Sequence, residues 1–292
     1  MTRYQIDGPD RQLAMKICYG VLRQKGYLDH VLARLCKRPI KKIKPFAYHA
    51  LHTGLYQLLF LDRVPDSAVV NETVKAVAAA RLPQSIQGFV NGVLRQSIRR
   101  RSELPQAGSD HLINHPSWLT RRWRNTFGDD EMKRICMVND QEPTLCLRVV
   151  PPATRPGLID LFTQHRISAR EGRYSPDAVV VQPHQGAVTA LPGFDEVLFR
   201  IQGQAAQLAS RLMAPFRDNY RVLDCCAGLG GKTAHLLSMI GTDSSSVVAL
   251  EPHRERFIQL QETIARSARS NQVKLYNQTL DQYSSSRGDT FD

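Results

Sequence analysis

One short segment of the sequence has the residue types and spacing of a ligand-binding turn. Residues 222–233 begin with apolar side chains, continue through Asp224 and reach glycines at positions 228, 230 and 231. Glycine lets the backbone turn tightly and approach a ligand without a Cβ in between. A helix that begins just after such a turn offers free N–H groups. The segment therefore predicts a ligand site where a strand ends and a helix begins.

Two kinds of ligand have to be weighed for this turn. Gly231-Lys232-Thr233 matches the last three residues of an ATP-binding P-loop, but the glycine that opens a P-loop would stand at Cys226 or Ala227. Glu251 follows about 20 residues after the turn, where an acid accepts hydrogen bonds from the two hydroxyls of a ribose. The sequence therefore favours an adenosyl ligand over a P-loop nucleotide.

The cysteines do not predict a metal site or a disulfide framework. They contain no CxxC pair and no spacing typical of zinc ligands. They are Cys18, Cys36, Cys136, Cys146, Cys225 and Cys226. We expect reduced thiols in a cytoplasmic protein that binds no metal.

The elements that position the turn form the clearest pattern in the chain. Short apolar strands are predicted at 221–224, 247–250 and 273–276, and helices at 232–240 and 254–268. Strands that alternate with helices make a parallel sheet with right-handed crossovers. Residues 201–292 are therefore predicted to form the first half of a doubly wound α/β domain.

The rest of the chain divides into two parts. Residues 1–107 show apolar side chains at helical spacing and predict a compact helical domain, which ends near a polar candidate linker at 103–110. Residues 108–200 contain both stretches with the helical spacing of apolar residues and short stretches typical of strands, and they predict a small α+β domain. Its expected elements are helices at 118–127, 129–138 and 157–165 and strands at 144–150 and 178–182.

The charge of the chain is concentrated in its first third. Residues 1–107 hold 18 Lys and Arg against 7 Asp and Glu, a net charge of +11, whereas residues 108–292 have a net charge of +1. A basic domain beside a nearly neutral remainder is typical of a module that binds a polyanion. The basic cluster at 37–44 is either a solvated loop or a polyanion contact. The cluster at 99–101 is either such a contact or a set of cations that favours the C-terminus of a helix, and the charge alone does not decide.

The sequence contains no run of 18 apolar residues and no secretory signal at its start. We therefore expect a cytoplasmic protein that does not enter a membrane.

Several motifs resemble one family. Residues 223–233 are similar to the S-adenosylmethionine motif LDxCAAPGGKT of RNA cytosine-5 methyltransferases, and His115-Pro-Ser-Trp118 and Leu147-Arg148-Val149 resemble the RNA-binding region before it. Residues 54–65 and 88–95 resemble a NusB-like domain. The order of these motifs, over nearly all 292 residues, resembles the RsmB branch (also called Sun or Fmu) of the 16S rRNA methyltransferases.

The resemblance implies a mixed fold: an all-α NusB-like domain, an α+β RNA-binding domain and half of a Rossmann-like domain. It implies S-adenosylmethionine as cofactor, 16S rRNA as partner and a monomer. The implied cofactor-binding residues are Cys226, Ala227, Gly228, Leu229, Gly230, Gly231, Lys232, Glu251 and Asn277. The implied RNA-binding residues are Lys37, Arg38, Lys41, Lys42, Lys44, Arg121, Arg122 and Arg148.

The sequence also departs from the family pattern. Asn277 stands where the family has Asp, Val150 where it has Asn, and Gly228-Leu229 where it has Ala-Pro. The family's reaction needs a cysteine that adds to C6 of cytosine and a second that assists product release. None of the six cysteines matches those segments, so we expect the 292-residue chain to lack methyl transfer. The rival hypothesis is a non-catalytic RNA-binding protein of the NusB-like antitermination type.

Overall fold

A computed structural model describes residues 8–36, 39–182, 186–240 and 244–292. The chain divides into two compact units, residues 1–143 (unit 1) and residues 144–292 (unit 2). The boundary between them falls inside the middle part of the three-part division predicted from sequence.

Unit 1 is helical: the helices predicted within residues 1–107 are confirmed, and the two helices predicted at 118–127 and 129–138 as part of the α+β domain also belong to this unit. Its helices are α1 (Gly8–Arg23), α2 (Lys25–Leu35), α3 (Pro45–Phe60), α4 (Asp66–Ala79), α5 (Gln84–Arg99), α6 (Ser117–Phe127) and α7 (Asp129–Asn139). One apolar core joins α2, α3, α4 and α5, with Leu28, Leu55 and Leu94 fully buried. Helical spacing of apolar residues thus brings one face of each of these helices inward.

The stretch predicted as a linker packs on unit 1 instead of leaving it. The hydroxyl of Tyr27 donates a hydrogen bond to the carbonyl of Pro105 (2.8 Å), and the amide of Tyr27 donates to Oδ1 of Asn114 (2.9 Å). A Cβ at Gly26 would lie 1.8 Å from the carbonyl oxygen of Ile113. Glycine at position 26 is therefore required for this close approach of two backbones.

The first half of unit 2 is an antiparallel sheet with strand order β2-β3-β1-β4. Its elements are β1 (Leu145–Val149), α8 (Arg155–Gln164), β2 (Ala169–Glu171), β3 (Ala178–Val181), β4 (Phe199–Ile201) and α9 (Gln204–Arg211). β1, α8 and β3 were predicted from sequence, whereas β2, β4 and α9 were not. The two missed strands have three residues each, too few to show an alternating pattern.

The second half of unit 2 is a parallel sheet with strand order β5-β6-β7. Its elements are β5 (Arg221–Asp224), α10 (Gly231–Met239), β6 (Ser246–Leu250), α11 (Arg254–Ala265), β7 (Val273–Tyr276) and α12 (Leu280–Ser286). All three predicted strands are confirmed, and α11 ends three residues earlier than expected. Because parallel strands end at one edge, the residues after β5, β6 and β7 meet there.

No helix in the described part of the chain is long and apolar enough to cross a membrane. Within the same residues, no group of three or more His, Cys, Asp and Glu side chains has the placement of a metal site.

Candidate functional site: the glycine turn and its surroundings

Residues 225–230, the glycine turn, connect β5 to α10 at the carboxyl edge of the parallel sheet. Gly228 and Gly230 have φ of +57° and +86°, values that L-residues with a Cβ rarely adopt. The amide of Ala227 donates a hydrogen bond to the carbonyl of Leu250 (3.0 Å), which ties the turn to the end of β6. This hydrogen bond thus holds the turn against β6, and the two positive φ angles favour glycine at positions 228 and 230.

The backbone of the turn is open to a ligand. A Cβ at Gly228 or Gly231 would meet no atom within 4 Å, so free space lies beside both residues. The N–H groups of the first turn of α10 have no partner inside the helix. Open backbone beside a helix N-terminus is the arrangement that accepts polar groups of a nucleotide-like ligand.

Asp224, the last residue of β5, organises the turn. Its carboxylate accepts hydrogen bonds from the hydroxyl of Thr233 (2.7 Å) and from the amide of Cys226 (3.3 Å). Thr233 is fully buried in the first turn of α10. Asp224 therefore positions the turn against the helix.

Glu251 and Asn277 follow β6 and β7 at the same edge. Glu251 is only 4% exposed, and its Oε1 accepts a hydrogen bond from the amide of His253 (2.8 Å). The side-chain amide of Asn277 donates to the carbonyls of Glu251 (2.7 Å) and Pro252 (3.0 Å). Asn277 thus fixes the backbone at Glu251, a role the sequence did not suggest.

Two cavities adjoin the glycine turn. One, of about 200 Å³, is lined by Asp224, Cys225, Cys226 and Lys232 and by Ser210 of α9. Ser210 is 2% exposed, and its hydroxyl has no hydrogen-bond partner. The other, of about 230 Å³, lies beside Leu229. An unpaired buried hydroxyl facing the first cavity suits a ligand with polar groups.

The two cysteines of the turn are exposed thiols. Burial of part of the side chain, together with a hydrogen bond to Cys226, raises the pKa of Cys225. A raised pKa keeps Cys225 protonated near neutral pH, and a thiol is a weaker nucleophile than a thiolate.

A partly buried ionic cluster that the sequence did not predict lies beside α10, the helix after the turn. Asp177, before β3, accepts two hydrogen bonds of 2.7 Å from Arg211 of α9 and lies 3.3 Å from Nε2 of His235 of α10. Burial raises the pKa of Asp177, but the hydrogen bonds from His235 and Arg211 outweigh it and hold that pKa well below its usual range. Its partners are 34 and 58 residues away, so no local pattern could have revealed it.

Burial lowers the pKa of His235 more than Asp177 raises it. The ring is therefore neutral at pH 7, with Nε2–H facing Asp177, and its Nδ1 is buried without a partner. The cluster connects the antiparallel sheet to the helix that follows the glycine turn.

Replacing Asp177 with asparagine is expected to destabilise unit 2 by about 2 kcal/mol at neutral pH, since hydrogen bonds to a charged group are lost. A carboxylate with a lowered folded-state pKa contributes its full stability above the unfolded pKa and loses it as the pH falls through the folded pKa. The difference between wild type and variant should therefore shrink below about pH 4. Amide exchange of β5–β7 at increasing urea concentrations measures this difference in the free energy of unfolding. Asp160→Asn, an exposed change on α8, is the control; an equal loss there would contradict the prediction.

The predicted RNA-binding residues lie in different places. Lys41, Lys42 and Lys44 are exposed in and after a single turn of 3₁₀ helix before α3. Arg121 and Arg122 are exposed on α6. Lys37 and Arg38 lie outside the described residues.

Arg148 does not lie on the surface, so its prediction as an RNA contact needs correction. It is 1% exposed in the middle of β1, and its Nε donates a hydrogen bond to Oε1 of Gln202 (2.7 Å). Burial, with a smaller effect from Arg200, lowers its pKa to about 10. Its guanidinium is enclosed by protein and is not available to RNA.

Comparisons with known families agree with this architecture. Residues 2–99 match the NusB family, residues 115–187 match the ferredoxin-like domain of RsmF/B-like methyltransferases, and residues 211–292 match the 16S rRNA methyltransferase RsmB/F family. The chain thus contains, in this order, parts that match the NusB domain, the ferredoxin-like domain and the methyltransferase domain of RsmB/F-type rRNA methyltransferases.

Its curated relatives include a particular member of this family, ribosomal RNA small subunit methyltransferase B. The protein from Proteus mirabilis (strain HI4320) is 33% identical over 264 residues, which are 89% of this chain and 61% of the relative. The one from Serratia proteamaculans (strain 568) is 34% identical over 273 residues, 92% of this chain and 62% of the relative. The chain thus spans about three fifths of the length of these relatives.

Solved structures support the fold. The crystal structure of PH0851 superposes with a TM-score of 0.71 at 19% identity, covering 95% of this chain and 63% of that one. A methyltransferase homologue from Pyrococcus horikoshii gives a TM-score of 0.51 at 16% identity, covering 60% of this chain and 57% of that one. At these identities the likeness concerns the fold alone.

Proposed function

We propose that the whole protein to which this chain belongs methylates carbon 5 of a cytosine in 16S rRNA with S-adenosylmethionine. The observation that carries the proposal is the open glycine turn, which shares the carboxyl edge of the parallel sheet with Glu251 and Asn277. The match of residues 211–292 to a methyltransferase family favours an enzyme over a purely RNA-binding protein.

In this proposal the parallel sheet and its helices are the first half of a Rossmann-like domain. The three functional parts are residues 1–107, 108–200 and 201–292. The strand order β5-β6-β7 supports the Rossmann-like half, because the first strand of such a domain lies at the centre of the full sheet and the next two extend outward from it.

The cofactor contacts that we propose are those implied by the family resemblance, and the position of the residues at the sheet edge supports them. The carboxylate of Glu251 accepts hydrogen bonds from the ribose hydroxyls, and Asn277 orients Glu251 and lies near the adenine. The backbone from Cys226 to Lys232 surrounds the methionine end. The bound sulfonium supplies an electrophilic methyl group. The chain's own residues bind and orient it. The family's reaction also uses a nucleophilic cysteine, and none of the six cysteines here matches the segments that carry it in the family.

The proposed RNA surface consists of exposed residues of unit 1. They are Lys41, Lys42 and Lys44 before α3, and Arg121 and Arg122 on α6. Lysine and arginine bind phosphates by releasing counterions, so the affinity should fall steeply with salt. Arg148 is left out of this surface because it is buried.

The cofactor proposal predicts the effect of changing Glu251. Glu251→Ala is expected to weaken S-adenosylmethionine binding ten- to a hundredfold, because each hydrogen bond to a charged group contributes about 1.5–3 kcal/mol. Isothermal titration calorimetry on the full 292-residue chain measures it. Glu255→Ala, in the first turn of α11, removes the same charge from an exposed position and is the matched control.

A second measurement in the same test locates the ligand. Saturating S-adenosylmethionine should protect Cys225 and Cys226 from a maleimide, whereas Cys18, an exposed thiol of α1, should react equally with and without it. Equal labelling of the turn cysteines with bound cofactor would refute the proposed site.

A further inference from the structure

Unit 1 contains a cavity of about 730 Å³ that the proposed function does not use. It lies between the start of α3 and one face of α5. Its floor is apolar, formed by the buried Ala47 and Val93 and by the half-buried ring of Phe89. This volume is within the range of sites that hold small organic groups.

The edge of the cavity is cationic. Lys42, Lys44 and Arg99 line it and are exposed, and no Asp or Glu is found among its described lining residues. Three cations, with no acid among the described lining residues, create a positive potential at the mouth, inside a region of net charge +11. The occupant that complements this edge is an anion.

The inner lining adds polar and aromatic groups. Gln96, half-buried on α5, offers an amide that both donates and accepts hydrogen bonds, and Phe89 offers an aromatic face. An aromatic face, an amide and cations are the groups that bind an unstacked base with its phosphates.

We propose that this cavity takes one unstacked base of single-stranded RNA, with the neighbouring phosphates held by Lys42, Lys44 and Arg99. The inference rests on the RNA binding proposed above and adds to it a base-binding site whose new members are Phe89, Gln96 and Arg99. An acidic amphipathic peptide is the competing occupant that the test has to separate.

Two glycines of α5 make a sharp test possible. Gly92 lines the cavity, whereas Gly88, one helical turn earlier, does not. A Cβ at either position meets no atom within 4 Å, and neither glycine has a positive φ. Methionine at either position raises helix propensity by a similar amount and changes no charge. Gly92→Met adds its side chain at a lining position of the cavity, whereas Gly88→Met adds the same side chain at a position outside the lining.

The experiment measures binding of a fluorescently labelled single-stranded RNA of mixed sequence to the full chain by anisotropy. Gly92→Met should weaken binding about tenfold through the lost stacking, and Gly88→Met should bind like wild type. Neither variant should change the affinity for an RNA duplex, whose bases stay stacked. Gln96→Ala is the second cavity variant, expected to weaken single-strand binding severalfold.

The salt dependence separates the base from the phosphates. Lys42→Ala with Lys44→Ala should lower the slope of log Kd against log salt concentration, whereas Gly92→Met should leave the slope unchanged.

Equal single-strand affinities of the two folded glycine variants would overturn the base site and leave the proposed function standing. An acidic peptide that competes at the cavity, with RNA insensitive to Gly92→Met, would also overturn it. A wild-type chain without RNA affinity would overturn the proposed RNA surface as well.

Discussion

Replacing Gly230 with alanine is expected to destabilise unit 2 by about 2–4 kcal/mol and to abolish S-adenosylmethionine binding. Gly230 has φ of +86°, where a Cβ costs about 1–2 kcal/mol. The added Cβ would also lie 2.7 Å from Cδ1 of Leu260, a fully buried residue of α11. Relief of this contact requires a shift of the turn or of the buried Leu260 side chain, so both the fold and the ligand site should suffer.

Gly231→Ala is the matched control one residue later. Gly231 is the first residue of α10, has no positive φ, and a Cβ there meets no atom within 4 Å. Alanine favours the helix by up to about 1 kcal/mol, so stability should be kept or raised. Its methyl group enters the open space beside the turn, so cofactor affinity should still fall.

The method of measurement follows from where the tryptophans lie. Trp118 and Trp123 are both in unit 1, so their fluorescence reports that unit. Amide exchange of β5–β7 and calorimetric titration with cofactor report unit 2. If Gly230→Ala and Gly231→Ala lose stability equally, the positive φ and the contact with Leu260 do not determine the effect.

The parallel sheet could be predicted because its information is local. A strand covered on both faces appears in the sequence as a short continuous apolar run, as β6 does at 247–250. β7 was predicted with the bounds Val273–Tyr276 that the structure has, although Lys274 interrupts its apolar residues. Asp224 is the last residue of β5 and the glycine turn follows it, whereas Glu251 directly follows β6. Their places at the sheet edge therefore follow from the order of strands and helices.

Other features of the structure, among them β4 and the cavity of unit 1, depend on contacts between distant parts of the chain. β4 (Phe199–Ile201) forms because it pairs with β1, more than 50 residues away. The 730 Å³ cavity exists only because α3 and α5 pack together around it. Neither feature has a sequence pattern of its own.

Arg148 shows how a correct strand prediction can still misplace a side chain. β1 was predicted, and in a strand with one solvent-facing side Arg148 would point outward between Leu147 and Val149. All three residues are buried, however, so both faces of β1 are covered. The sequence does not indicate that Gln202 and Ser238 lie over the second face, where they accept hydrogen bonds from Arg148.

Arg148→Ala is therefore expected to destabilise unit 2 by about 3–4 kcal/mol, because it leaves a cavity and an unpaired Gln202. Arg148→Met with Gln202→Leu replaces the two side chains of the 2.7 Å pair by apolar groups of similar size. Ser238 keeps its hydrogen bond to the carbonyl of His235 (2.7 Å), so the double variant should cost about 1 kcal/mol or less. Amide exchange of unit 2 measures both variants.

RNA affinity then separates a structural role of Arg148 from a direct contact. The double variant should bind single-stranded RNA like wild type, since the guanidinium it removes is enclosed by protein. Arg122→Met, on the exposed face of α6, should weaken binding and lower the salt slope by about one phosphate contact. If the folded double variant loses RNA affinity as Arg122→Met does, Arg148 is an RNA contact. RNA could then reach Arg148 only after a movement of β1 or α10. A double variant that keeps wild-type affinity assigns Arg148 to the buried connection between the antiparallel sheet and the helix after the glycine turn.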